Sequence, residues 1–269
     1  MLTFLFISTI TITVNAREKY FCAQEEDLAC FVSMTEGLKK LKRGCLMKKT
    51  ANFVDDDGIR PDCVSDDVKV DEDGMWVGKP VAFPEGFKER LMKANLIPYI
   101  CLSLRLSQKG RKAGGTMHRH QLDTFSILLE YGYTDRILLK AALVHDLKED
   151  ALDFNEKEIA DCDMDGPAVL AVVKEVSRPE GEDKATFLRR ILKEGSTRAK
   201  IVKVFDRISN MIQLGFATDL NFVQRISEET EILIFPMALE VNYNAYIELC
   251  NLVRTRMDIA NSHKNENVA

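Results

Sequence analysis

Residues 134–150 read TDRILLKAALVHDLKED. Ile137, Leu138, Ala141, Val144 and His145 recur at helical spacing, so the segment predicts a buried helix, with Thr134 placed to cap its first turn. The apolar run ends in charge. Glu149 and Asp150 each follow four residues after His145 and Asp146, so one continuous helical face would present all four. Three carboxylates and an imidazole on a buried helix repel one another and lose hydration unless a cation compensates them, and a divalent metal removes that conflict. The rival reading is a plain amphipathic helix end, with Lys148 and the acids in water and His145 a satisfied core residue. A two-residue His-Asp match alone does not choose between the two.

The same periodicity extends outward. Residues 198–214 predict a second strong helix, with Ile201, Val204, Phe205, Ile208, Met211 and Ile212 on its apolar stripe. Further helices are expected at 118–131, 167–177, 184–194, 221–235 and 243–260, bounded by Gly132, Pro179, Gly195 and Gly215. No convincing period-two run follows Pro84, so an all-α domain is expected from there on. The full chain has 269 residues, 46% of them hydrophobic and 29% charged, with a net charge of −5. That balance suits a soluble globular protein of one main core plus an appendage, and gives no basic stripe for a dedicated nucleic-acid binder.

Chemistry concentrates in the second half. Three of the four histidines, His118, His120 and His145, fall within 28 residues of one another. Asp206 lies in the middle of the 198–214 helix, and Asn210 is one turn further on the same side. RKAGGTMHRH (111–120), GYTDRILLKAALVHDLKED (132–150), AKIVKVFDRISNM (199–211) and QRISEETEILIFPMA (224–238) stand in that order. Together these four blocks resemble the hydrolase domain of RelA/SpoT homologues and, more closely in length, stand-alone small alarmone hydrolases. The likeness covers roughly residues 90–240.

The resemblance implies an all-α HD-domain helical bundle with an N-terminal extension of uncertain structure. It implies one metal, manganese, held by His120, His145, Asp146 and Asp206. Such mixed imidazole and carboxylate donors suit a borderline divalent ion and leave room for water and a phosphate oxygen. Glu149 and Asp150 match the family's catalytic acidic pair, Arg111 its phosphate-facing basic position, to which Lys112 can add charge, and Asn210 a polar nucleotide contact. The implied reaction is removal of the 3′-pyrophosphate of guanosine tetra- or pentaphosphate, giving GDP or GTP and pyrophosphate, with no synthetase activity. The implied partner is thus a small nucleotide, not a nucleic acid. Two other readings stand beside it: an HD phosphohydrolase for another nucleotide or pyrophosphorylated metabolite, and a non-catalytic HD-fold regulatory module.

This chain departs from the family pattern in two places. Met117-His118-Arg119-His120-Gln121 surrounds the first ligand, which leaves His118 as a rival, although counting back from Ile127 favours His120. Lys148 occupies a position that is normally apolar, and the stretch Gln213–Ala217, expected near a guanine pocket, is also atypical.

The resemblance sets a hydrolase domain at 86–255, a tail at 256–269 and an extension at 1–85 with a linker at 55–84. Asp and Gly runs at 55 and 71 lack the spacing of an EF-hand loop. The basic cluster KKLKRGCLMKK reads as a solvated face. Residues 1–16 end in Val14-Asn15-Ala16, a signal-like pattern, but no Lys or Arg precedes the apolar run, which is too short to span a bilayer. A cytoplasmic location is expected, with secretion or a periplasmic location as the alternative if that segment is cleaved. Seven scattered cysteines form no CxxC pair and indicate no cysteine metal site, while the four before residue 64 could form a local disulfide in an oxidising compartment.

Overall fold

A computed structural model describes residues 85–266. The signal-like segment, the basic cluster, the linker and the first four cysteines lie outside the described residues. Within them the chain is all helical, and the sole β contact is an isolated bridge between Gly110 and Thr116. The helices are α1 (Phe87–Lys93), α2 (Ile97–Ser103), α3 (Met117–Glu130), α4 (Arg136–Val144), α5 (Leu147–Asp150) and α6 (Glu156–Ala160). They continue with α7 (Gly166–Val176), α8 (Lys184–Glu194), α9 (Thr197–Gln213), α10 (Leu220–Glu229), α11 (Phe235–Val241) and α12 (Tyr243–Glu266).

Helix α9 is the hub. It packs against α3, α4, α7, α11 and α12, and almost every side chain from Ala199 to Met211 is buried. Ile212, expected on the same stripe, is instead 40% exposed, because the helix emerges from the core in its last turn. Phe205 anchors the packing, with the rings of Tyr131 and Tyr133 edge-on to it at 4.8 and 5.4 Å, a favourable aromatic geometry. Helix α4 is enclosed on all sides from Leu138 to Val144, which is why its sequence is apolar nearly all round.

Local chemistry sets the ends. Asp135, not Thr134, caps α4: its carboxylate accepts the Leu138 amide at 2.6 Å, while Thr134 Oγ1 accepts from Arg90. Asp135 also takes a two-pronged bond from Arg198, at 3.2 and 2.9 Å, and so ties the start of α4 to the start of α9. The helix expected over 221–235 divides: α10 ends at Glu229, a π turn spans Thr230–Ile234, and α11 begins with Pro236 at its first turn. Proline has no amide to donate and crowds the carbonyl one turn back, so the widened turn accommodates it. Helix α12 runs unbroken past residue 255, and Arg256 donates to the Met211 and Ile212 carbonyls at 2.9 and 3.0 Å. The expected tail boundary at 256 therefore falls inside a packed helix.

The helix carrying the His-Asp pair also breaks. Helix α4 stops at Val144, Asp146 adopts φ −95° and ψ 0°, and α5 is a single separate turn. The four polar groups are thus not stacked on one continuous face. His145 and Asp146 turn inward, whereas Glu149 is exposed and Asp150 half-buried.

Asp163 and Asp165 lie in the α6–α7 connection, where Lys140, 1% exposed, donates to both, at 2.6 and 2.7 Å. Gly166 is required after them, since a Cβ there would lie 2.3 Å from the Ala160 carbonyl oxygen. Asp163 also accepts from Tyr99 Oη at 2.8 Å and Asn95 at 3.1 Å, which draws α2 onto this connection. No helix among the described residues is long and apolar enough to cross a membrane.

Candidate metal centre

Helices α3 and α9 and the α4–α5 break bring His120, His145 and Asp206 together, with one donor atom from each inside a 4.8 Å cluster. All three are buried, at 1%, 1% and 6% exposure. His120 Nε2 is 2.9 Å from Asp206 Oδ1, and the two imidazole rings meet edge-to-face at 5.3 Å. Asp146 joins them through Oδ2, 3.3 Å from His145 Nε2 and 3.6 Å from His120 Nε2. Gln121 donates to that same Oδ2 at 3.0 Å.

The orientation of His145 decides what the cluster can hold. Its Nδ1 sits 2.8 Å from the Ala142 carbonyl oxygen, which can only accept, so the ring proton is on Nδ1. Nε2 then turns a lone pair toward two carboxylates, and it has no hydrogen-bond partner although fully buried. His120 follows the same scheme when Ser209 Oγ, 2.9 Å from its Nδ1, accepts that proton. Acceptors facing acceptors in a buried site are stable only around a cation. Burial alone would keep the His145 ring neutral, yet Asp146 and Asp206 outweigh it and lift the pKa from 6.5 to about 10. Burial likewise opposes the ionised forms of Asp146 and Asp206, but the surrounding positive charge holds both carboxyls well below their usual range. An orphaned, inward-facing nitrogen among mixed N and O donors is the environment a divalent ion fits.

The two histidines near 120 separate clearly. His118, two positions earlier on α3, points to another side and meets Ser103 Oγ at 2.9 Å, outside the cluster. Glu149 accepts the Arg178 backbone amide at 2.6 Å, and Asp150 pairs with Lys109. Lys148, the departure noted in the sequence, pairs with Glu156 at 3.1 Å on the exposed side.

Arg111 is presented by a tight turn that needs Gly114 and Gly115 at φ 93° and 75°, values that side chains with a Cβ rarely adopt. Its guanidinium reaches Asn210 Oδ1 at 2.5 Å and bonds Gln213, and Asn210 in turn donates to Asp206 Oδ1 at 2.5 Å. Burial lowers the Arg111 pKa, against the pull of Asp206 and Asp146. Lys112 does not enter this row; its ammonium lies over the Phe222 ring at 5.3 Å.

Three supporting residues escaped the sequence reading, Gln121, Ser209 and Lys203, while Gln213 stands there only as the start of the stretch expected near a guanine pocket. Lys203 Nζ lies 3.0 Å from Asp206 Oδ2. Helical spacing could have flagged two of them, since Lys203 and Ser209 stand three residues either side of Asp206.

Fold and site together define an all-α HD-domain bundle with a buried histidine–aspartate centre. No family model and no curated protein sequence matches the chain. Among solved structures, one described as a metazoan ortholog of SpoT that hydrolyzes ppGpp and plays a role in starvation responses matches at 24% identity and a TM-score of 0.50. The match covers 64% of this chain and 96% of that one, so it extends over nearly the whole of that chain. It carries the fold: the HD-domain architecture expected from the four sequence blocks is the one observed.

Proposed function

We propose that this chain is a metal-dependent phosphohydrolase that removes the 3′-pyrophosphate of guanosine tetra- or pentaphosphate. The observation that carries the reading is the buried, unpartnered Nε2 of His145, facing Asp146 and Asp206. His120, His145, Asp146 and Asp206 would hold the ion, manganese on this reading. When bound, it would polarise a phosphoryl oxygen and acidify a water. The hydrolase unit begins near residue 86 and includes α12.

The chain's own residues supply the rest. Glu149 and Asp150, one turn beyond Asp146, are the proton acceptors on this reading, and the Arg178 amide fixes the direction of Glu149. Water oxygen forms the new bond to the phosphorus attached to the ribose 3′ oxygen, and the bond from that phosphorus to the 3′ oxygen breaks. One carboxylate takes the water proton, the 3′ oxygen ends protonated, and the products are GDP or GTP and pyrophosphate. Arg111, steered by Asn210 and Gln213, neutralises charge on the transferred phosphates. Lys112, over the Phe222 ring, adds positive charge on this reading.

The likeness to a SpoT ortholog described as hydrolysing ppGpp supports the choice of substrate. The test is a panel of ppGpp, GTP, dGTP and NADPH incubated with purified protein and Mn2+, with released pyrophosphate and phosphate measured. Turnover of ppGpp alone is expected. Turnover of another member instead would make the chain a different HD phosphohydrolase, and silence with metal bound would make it a non-catalytic module.

A further inference from the structure

Asp206 is held from both sides. Its Oδ1 faces the histidines and Asn210, while its Oδ2 faces Lys203 at 3.0 Å. The lysine side chain is 12% exposed, its ammonium 5.5 Å from the centroid of the Phe187 ring. A buried ammonium is stable only against an anion, and Asp206 supplies that anion in the metal-free chain. A divalent ion between the imidazoles and Oδ1 would draw on the same carboxylate charge and weaken its hold on Lys203.

The neighbourhood has cations to spare. Lys184 and Arg207 share one carboxylate, Glu229, at 2.9 and 2.5 Å. Lys184 starts α8, and Lys203 stands one turn before Arg207 on the same side of α9, so the three cations line one wall formed by α8 and α9. Such a wall beside a metal centre suits a polyanionic substrate.

We propose that Lys203 is a phosphate-binding residue of this site: its ammonium neutralises Asp206 in the metal-free chain and transfers to the substrate's pyrophosphate once the ion is held. The proposal rests on the reading of the cluster as a metal centre. It separates Lys203 from a residue that merely positions Asp206, because the two roles move metal affinity in opposite directions.

The test uses the full chain, its Lys203→Met variant, which keeps an apolar stem over Phe187, and its Lys203→Arg variant, which keeps the charge. Mn2+ affinity is measured by calorimetry without substrate, and inorganic pyrophosphate affinity on the Mn2+-saturated protein. Lys203→Met is expected to bind Mn2+ several-fold more tightly, because the competing ammonium is gone, and pyrophosphate roughly tenfold more weakly, the scale of one charge-assisted bond. Lys203→Arg restores pyrophosphate binding. Weaker Mn2+ binding with unchanged pyrophosphate affinity in Lys203→Met would overturn the proposal and leave a positioning role. Failure of the wild type to take up Mn2+ would overturn the metal reading itself, and this proposal with it.

Discussion

Among the described residues two buried clusters bring a lysine against aspartates, and they are built to opposite ends. Around Lys140, donors match acceptors: the ammonium bonds Asp163 and Asp165 and lies 5.2 Å from the Tyr99 ring centroid. Asp163 is further bonded by Tyr99, Asn95 and the Asp165 amide, and Asp165 by Arg136. Around Lys203 acceptors exceed donors, since two imidazole nitrogens and two carboxylates face one another and His145 Nε2 is left without a partner. A saturated cluster contributes stability and specificity of packing; an unsaturated one of the same burial is a place for a ligand.

The largest effect that would break this contrast is expected at Asp206. Asp206→Asn should abolish Mn2+ binding and lower ppGpp turnover by more than the roughly hundredfold typical of outer-shell positions, while the metal-free chain melts lower because the Lys203 ammonium loses its anion. Calorimetry and a melting curve check both halves. Next come Glu149→Gln and Asp150→Asn, each expected to cost about 10² to 10⁴ in turnover with Mn2+ affinity retained, since neither acid belongs to the buried cluster. Full activity in both variants would remove them from the mechanism.

Lys140→Met sharpens the comparison from the other side. It strands two partly buried carboxylates and should destabilise the chain by about 3 to 5 kcal/mol, yet leave Mn2+ binding unchanged. The smallest effect is a pH dependence. Burial opposes ionisation of Asp163, but Lys140, Tyr99 and Asn95 outweigh it and bring the pKa from 3.8 down to about 2. A depressed folded-state value means the stabilisation is complete above the unfolded pKa of about 4 and is lost as pH falls through the folded one. Asp163→Asn should therefore flatten the stability curve between about pH 4 and pH 2, as followed by acid titration of the far-ultraviolet signal.

Much of this arrangement was legible in the sequence because helical periodicity is a local property. The spans of α3, α7, α8 and α9 fall within a residue or two of expectation, and the register counted from Ile127 selected His120 over His118. What sequence spacing could not show was where helices stop being continuous. The apolar run into HDLKED reads as one helix, but its backbone turns at His145 and Asp146, which faces those two inward and leaves Glu149 and Asp150 nearer the surface. The 230–234 turn was hidden in the same way, behind a proline whose cost is met by widening the helix. Partners distant along the chain were also invisible. Arg111 meets Asn210 across 99 positions, and the pairing of Lys140 with Asp163 and Asp165 needs the α6–α7 connection folded back over α4.

The central claim is that the acceptor-rich cluster is a cation site, and anomalous scattering at the manganese edge from crystals grown with Mn2+ addresses it most directly. The account predicts a strong anomalous peak among His120 Nε2, His145 Nε2 and the Asp146 and Asp206 carboxylates. A map with no peak there, or with the Mn2+ bound only at surface carboxylates, would contradict it.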